Sequence, residues 1–258
     1  MIKITKRALI LLMGALVLIG LGIASLYYDA QDSKADPRVV EARKLYKKYD
    51  EYAGENNFTA VLLLLDSVED IYKKYAHYQN SYEIAVIENN RAAAWLTMAI
   101  HSETQTMSLD GVTVLTQDSL LERSKLHVQN AIATYKQWLN KFENMDRNAI
   151  SQVIESSFFD DLQEPDETKK QDYLENRLDE MQTAQLENKR RLSVALTNYG
   201  IILRHEQKYM DAISLYQEAL ELWDRNLAAK NNINILMGKP IEKRNFIQKM
   251  FPPEKDED

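Results

Sequence analysis

Glycine and proline are scarce in this chain, and that scarcity constrains its fold more than any other feature. Only four glycines, Gly54, Gly111, Gly200 and Gly238, lie beyond the first 28 residues. Sandwiches and parallel α/β sheets need many turns, and nucleotide-binding sites need glycine-rich loops. The sequence supplies neither pattern, so it predicts an all-α fold.

The N-terminal segment is strongly apolar. Lys3, Lys6 and Arg7 precede an uncharged run of 21 residues, Ala8–Tyr28. A helix of that length spans about 30 Å, which is the thickness of a bilayer's hydrocarbon core. The sequence therefore predicts a single transmembrane helix, with a cytoplasmic N-terminus and a main domain that is periplasmic or otherwise extracytoplasmic. The alternative is a signal peptide cleaved near Gly22-Ile23-Ala24.

The remainder of the chain is acidic. Without the three basic residues of the first 28, the formal net charge changes from −7 to −10. A nucleic-acid-binding domain needs a basic face, so we expect no nucleic-acid partner. The chain contains no cysteine, which excludes disulfides and thiolate metal sites.

No sequence motif indicates an enzyme. The four histidines, His77, His101, His127 and His205, lack the spacing of helical di-iron sites and of metalloproteases. The chain has no serine elbow flanked by glycines and no phosphate-binding loop. We therefore expect no catalytic residues, no cofactor and no metal site.

Two amphipathic helices joined by a tight polar turn are predicted from Ser193 to Trp223, because apolar residues recur there at helical spacing. Gly200 on the first helix and Ala219 on the second are small enough to let the two axes approach to about 8 Å. Tyr209 and Tyr216 are expected to supply the bulk that fills the remaining space.

This stretch resembles a tetratricopeptide repeat (TPR), a helical hairpin of about 34 residues. The resemblance rests on small and large residues at the family's positions, which are Leu196, Tyr199, Gly200, Leu203, Tyr209, Ala212, Tyr216 and Ala219. The family's closing proline is missing, and the predicted second helix continues past Trp223 towards Leu236. The alternative is an ordinary helical hairpin with small residues at its crossing.

Two further helical pairs are predicted upstream. The first covers about Val39–Tyr52 and Phe58–Tyr78, with Phe58, Val61, Leu65 and Val68 equivalent to Tyr209, Ala212, Tyr216 and Ala219. The second covers about Tyr82–Ile100 and Leu120–Phe142, followed by a short helix near Ile150–Phe159 and a long one from about Gln171 to His205. The predicted organisation is an anchor at 1–28, a stalk at 29–37, a TPR-like domain at 38–240 with an insertion at 101–119, and a tail at 241–258.

The TPR resemblance implies a stack of hairpins whose concave groove binds a protein or peptide. With the anchor, the chain resembles bacterial envelope proteins that hold a TPR domain beside an assembly machine. We therefore expect a membrane-anchored adaptor, scaffold or assembly factor. The alternatives are a permanent structural subunit of an envelope complex and, third, a helical enzyme. Gly20 and Ala24 form a small-residue pair compatible with an oligomer.

Candidate partner contacts lie on the first helix of each pair. They are Tyr49, Asn89, Arg91, Asn198 and Arg204. Asparagine can bond a peptide backbone in both directions, and arginine can bind a carboxylate through two parallel hydrogen bonds. Two rows of tyrosines, Tyr46-Tyr49-Tyr52 and Tyr72-Tyr75-Tyr78, are either a partner surface or packing between repeats.

Overall fold

The computed structural model describes residues 35–101, 106–108 and 114–243, and these residues are mostly helical. The helices are α1 (Val40–Tyr46), α2 (Tyr49–Gly54), α3 (Phe58–Lys73), α4 (Tyr82–His101), α5 (Gln117–Phe142), α6 (Arg147–Asp160), α7 (Glu167–His205), α8 (Tyr209–Leu222) and α9 (Leu227–Leu236). Two short strands, β1 (Thr106–Ser108) and β2 (Val114–Thr116), pair antiparallel between α4 and α5. The prediction of an all-α fold is confirmed.

The predicted anchor at 8–28 lies outside the described residues, as do most of the stalk and most of the tail. Within the ranges that are described, no helix is both long and apolar enough to cross a bilayer.

Helices that follow one another in the chain pack against each other. The most extensive pairings are α4 with α5 and α7 with α8, and α7 also contacts α4, α5 and α6. One hydrophobic core joins α1, α3 and the first part of α4. A second and larger core contains residues from all of the helices from α4 through α9. Because α7 contacts α4, α5, α6, α8 and α9, and α4 contacts α3, α5 and α7, these two helices position the side chains between them.

The same backbone turn ends α2, α7 and α9. In each case the second residue after the helix has a positive φ, which is 56° at Asn56, 62° at Gln207 and 66° at Gly238. The following N–H then donates to the carbonyl five residues back, at 2.9 Å for the first two turns and 2.7 Å for the third. This pattern satisfies carbonyls that the end of a helix leaves without partners.

The two hairpins α2–α3 and α7–α8 bury equivalent positions after this turn. On α3, Val61, Leu65 and Val68 are at most 1% exposed, and on α8 the equivalent Ala212, Tyr216 and Ala219 are 0% exposed. Tyr209 differs from its prediction because its side chain is 49% exposed. Tyr209 is the first residue of α8 and lies beside the turn that joins the two helices. Tyr216, two turns further along α8, fills the space beside Gly200.

Gly200 permits the close approach of α7 and α8. A Cβ added at Gly200 would lie 2.8 Å from Cδ1 of the Tyr216 ring, and Cε1 would be closer still. Further along the same crossing, the Ser193 hydroxyl donates to the Ala219 carbonyl at 2.6 Å. The two helices are therefore joined by ring packing at one level and by a buried hydrogen bond at another.

The structure corrects the predicted continuous helix from Tyr209 to Leu236. Trp223 is extended, with φ −150° and ψ 98°, and a new helix begins after Asn226. Asn226 is 3% exposed, and its Oδ1 accepts the Ala229 N–H at 3.0 Å. Its Nδ2 donates to the hydroxyls of Ser193 at 2.8 Å and Thr197 at 2.9 Å. A buried cap at Asn226 thus separates α8 from α9, where the sequence predicted a continuous helix.

The other predicted helices differ only at their ends or by one break. The first predicted helix divides into α1 and α2 at Lys47-Lys48, and α3 ends at Lys73, before the predicted Tyr78. The helix predicted from about Gln171 begins at Glu167 and is continuous to His205.

We expect Gly200→Ala to lower the free energy of unfolding by about 1–3 kcal/mol. The buried Tyr216 ring leaves no room for a Cβ, and this overpacking outweighs the gain of about 1 kcal/mol in helix propensity. Gly54→Ala is the matched control, because no atom lies within 4 Å of its Cβ position. Urea denaturation of the full-length protein in detergent measures both variants. Equal midpoints for Gly200→Ala and wild type would contradict the close packing.

We expect Asn226→Ala to cost about 1–3 kcal/mol of stability, because it removes a helix cap and leaves buried groups without partners. Asn57→Ala removes the cap of α3, where the exposed Asn57 accepts only the Ala60 N–H among the hydrogen bonds described. That change should cost about 0.5–1 kcal/mol. Thermal denaturation of both variants makes the comparison, and an Asn226→Ala midpoint above that of Asn57→Ala would contradict the buried network.

Candidate binding groove

A groove opens between α1, α3, α4 and α7. It contains a pocket of about 440 Å³ whose lining combines tyrosines, aliphatic residues and charges of both signs. The lining residues are Arg43, Tyr46, Lys47, Val68, Tyr72, Tyr82, Glu83, Val86, Ile87, Glu180 and Arg191. Pockets of this size and mixed composition are typical of ligand-binding sites.

The helical period explains why α4 contributes to this groove. Most of α4 is buried, but Glu83, Val86, Asn90, Ala93 and Thr97 are half-buried. Their spacing of three or four residues places them on one face of the helix. Glu83 and Val86, at the beginning of this face, line the pocket.

A buried arginine holds α7 to the other walls of the groove. Arg177 is 2% exposed, and its Nη1 donates to Glu83 at 2.5 Å and to Glu180 at 3.1 Å. Its guanidinium also lies over the rings of Tyr78, at 4.7 Å, and Tyr82, at 5.2 Å. Burial opposes ionisation of Glu83, but the charge of Arg177 and its hydrogen bonds prevail and lower the pKa of Glu83 to about 2.

Arg43 is the second cation that these carboxylates hold. Its guanidinium binds Glu180 through contacts of 2.6 and 2.9 Å. Burial lowers the pKa of Arg43, whereas the negative charge of Glu180 raises it. The net result is that the pKa of Arg43 lies above its ordinary value. Glu180 therefore joins α1 to Arg177, and both pocket carboxylates are committed to arginines of the framework.

Lys47 and Arg191 are the groove cations without such a partner. Within the described part of the chain neither forms an ion pair, and Arg191 makes only a long contact of 3.5 Å to Asn188. Neither Lys47 nor Arg191 is among the partner contacts predicted from the sequence. The available signal was the i,i+4 spacing of Arg43 and Lys47, which places them on one face of the first helix.

The first tyrosine row contributes to the groove. The rings of Tyr46 and Tyr49 stack with centroids 5.5 Å apart and an interplanar angle of 5°. The Tyr46 hydroxyl accepts a hydrogen bond from Asn90 on α4. In the second row, Tyr72 is 6% exposed and Tyr78 is 0% exposed. The second row is therefore mainly core packing.

The five predicted partner contacts do not form one free surface. Asn89 and Asn198 are brought together, with Nδ2 of Asn198 donating to Oδ1 of Asn89 at 3.3 Å. Arg204 donates to Asn232 at 2.8 Å, and Tyr49 stacks on Tyr46.

Arg91 lies in an ionic cluster of its own. It is 6% exposed and contacts Asp66 at 2.7 Å, Glu69 at 2.6 Å and Glu88 at 2.8 Å. Its hydrogen-bond donors thus join α4 to α3 and are not directed at solvent. Binding by the predicted set remains a prediction, and Arg91 contributes to the framework.

His77 and Ser157 lie beside another small pocket, but they do not form a catalytic pair. Nε2 of His77 accepts from Nε of Arg177 at 3.2 Å, so the ring proton is on Nδ1, which faces the Ser157 hydroxyl at 3.5 Å. Burial, with the charge of Arg177, lowers the pKa of His77 to about 3. A histidine that donates towards the serine and has so low a pKa does not act as its general base.

No protein-family model matches this chain. No curated protein and no solved structure matches it either. What the groove binds is therefore inferred from its own residues.

We expect the protein to become less stable as the pH falls, because of His77. Its pKa is about 3 in the folded protein against an ordinary 6.5, so below pH 6.5 the unfolded chain binds a proton that the folded chain does not. Stability is then lost as pH falls from 6.5 towards 3, by about 1–2 kcal/mol at pH 5.

His77→Gln keeps an acceptor for Arg177 and does not titrate, so its stability should depend less on pH. Urea denaturation at pH 7.5 and pH 5 measures the difference. His101→Gln, at an exposed position of α4, is the control and should behave as wild type. An unchanged pH dependence in His77→Gln would show that His77 is not the responsible group.

Proposed function

We propose that this chain is a membrane-anchored adaptor or assembly factor of the bacterial cell envelope. Its TPR-like domain binds a segment of a protein partner, and residues 8–28 hold it in the membrane. The observation that carries the proposal is the pocket between α1, α3, α4 and α7, where tyrosine rings adjoin the unpaired cations Lys47 and Arg191.

The recurrence of one hairpin geometry supports a TPR-like arrangement. The pairs α2–α3 and α7–α8 share the same turn and bury equivalent positions after it. Most of the groove lining comes from α1, α4 and α7, which were predicted to belong to the first members of the pairs, and Val68 and Tyr72 of α3 complete it. In a repeat stack this is the side on which partners bind.

The chemistry of the lining favours a protein segment as ligand. Tyrosine gives a large contact area at a small cost in conformational entropy and is enriched at protein interfaces. Arg191 can donate two parallel hydrogen bonds to a carboxylate, and Lys47 adds a second positive charge. The proposed ligand is therefore a segment with an acidic side chain beside an apolar or aromatic one.

A permanent structural subunit is the second candidate. Several large apolar side chains on different helices are well exposed, which are Leu63 at 63%, Leu126 at 57%, Leu186 at 75% and Met210 at 78%. Permanent neighbours in a complex would cover them. Under this alternative the purified protein aggregates when its partners are removed, whereas an adaptor remains monodisperse.

We expect Arg191→Glu to reduce recovery of the partner about 10–100-fold, since a charge-assisted hydrogen bond contributes about 1.5–3 kcal/mol. The full-length protein is purified in mild detergent from membranes, and the co-purifying proteins are quantified against wild type. A carbonate wash of a separate membrane sample tests the anchor. Lys169→Glu is the matched control, because Lys169 is an exposed cation on the same helix and lines none of the pockets described.

The thermal midpoint of Arg191→Glu should equal that of the Lys169→Glu control. Full recovery of the partner by Arg191→Glu would place binding outside the groove. Release of the protein by carbonate would contradict the anchor.

A further inference from the structure

The chain is basic immediately after the predicted anchor, although the whole chain is acidic. Residues 34–48 contain six basic and two acidic residues, in a protein with a formal net charge of −7. Most of these residues belong to α1 and its flanks, where Lys44, Lys47 and Lys48 are exposed. This end of the domain therefore presents a local positive charge.

A second pocket lies in this basic end. Its volume is about 530 Å³, and it is lined by Ala35, Val40, Arg43, Lys44, Lys47 and Asn176 together with Glu180. It shares Arg43, Lys47 and Glu180 with the groove, whereas Lys44 lines only the second pocket and Arg191 only the groove. The two pockets can therefore be tested separately.

The charges of the second pocket favour an anion. Its carboxylate, Glu180, already binds Arg43 at 2.6 Å and Arg177 at 3.1 Å. The ammonium groups of Lys44 and Lys47 form no ion pair with any residue that the structure describes. A phosphate can accept from both ammonium groups, and the neighbouring Arg43 adds further positive charge.

The pocket lies where the chain arrives from the predicted membrane segment. Ala35 is part of its rim, only seven residues after Tyr28, so the rim lies within about 25 Å of the end of the apolar run. The next residue, Asp36, is fixed to the domain. It is 2% exposed, binds Arg38 at 2.7 Å and accepts the Tyr78 hydroxyl at 2.8 Å.

We propose that this second pocket binds the phosphodiester headgroup of an anionic phospholipid in the membrane that holds the anchor. The inference rests on the anchor of the proposed function and is independent of the partner groove. A lipid is favoured over an acidic protein segment because the tether keeps headgroups at a high effective concentration beside the rim. The attraction between basic residues and anionic headgroups is electrostatic, so it acts at any leaflet that contains anionic lipid.

Binding is measured on the full-length protein in a neutral detergent. Glu41→Cys introduces a single cysteine for an environment-sensitive dye, since the chain has none of its own and Glu41 is exposed one turn from Lys44. Dihexanoyl phosphatidylglycerol is the probe, and dihexanoyl phosphatidylcholine and inorganic phosphate are the comparison ligands. We expect saturable binding of the phosphatidylglycerol and weaker binding of the other two.

In the dye-labelled Glu41→Cys protein, Lys44→Gln should weaken binding of the anionic lipid about fivefold. This is the loss expected for one charge near a membrane surface. Lys44→Glu should weaken it further. Lys169→Gln and Arg191→Glu are the controls that should leave lipid binding unchanged, and Lys44→Gln should leave partner recovery unchanged.

Each contrary outcome has a distinct meaning. Equal binding of phosphatidylcholine, or unchanged binding in Lys44→Gln, overturns the lipid site. Free phosphate that binds as tightly as the lipid makes it a site for a soluble anion. Loss of partner recovery in Lys44→Gln without any lipid binding assigns the pocket to an acidic partner. Failure of the anchor itself is detected separately, by release of the protein in the carbonate wash.

Discussion

Burial of the Arg177 guanidinium, which is 2% exposed, constrains the whole region around the groove. Removing a guanidinium from water is costly unless nearly all of its donors find partners. Arg177 bonds Glu83 on α4, Glu180 on its own helix and His77 in the connection between α3 and α4. A slide of α7 by one turn would separate this charge from Glu83 and His77 and leave it only Glu180, which moves with it. The interaction therefore fixes the register of α7 against α4.

The charges that the groove offers to a ligand follow from this arrangement. Arg177 and Arg43 occupy the two pocket carboxylates, Glu83 and Glu180. The remaining cations of the lining, Lys47 and Arg191, are left facing the groove, together with the tyrosines. A domain that is acidic as a whole can in this way present a positive site locally. The charges that are already paired inside the domain thus determine which cations remain to face the groove.

The repeated unit of the domain is defined by backbone geometry more than by sequence. Asn56, Gln207 and Gly238 are different residues, yet each has a positive φ and ends its helix with the same hydrogen-bond pattern. The positions buried after the first two turns are also equivalent, but Val61 and Val68 stand where the second hairpin has alanines. At α7–α8 a small residue is required, because the Tyr216 ring lies against Gly200.

The sequence alone determined the helical class, most of the helices and the equivalence of the two hairpins, because helical periodicity and glycine scarcity are local properties of the chain. It also identified Gly200 and Ala219, since a small residue within an apolar stripe indicates a close crossing. Tertiary structure decided the break at Asn226, the exposure of Tyr209 and the burial of Arg91. It also selected Lys47 and Arg191 as groove cations. These features depend on pairing between residues far apart in the chain, as with Arg177 and His77, and the sequence pattern around one charged residue does not show whether a distant partner neutralises it.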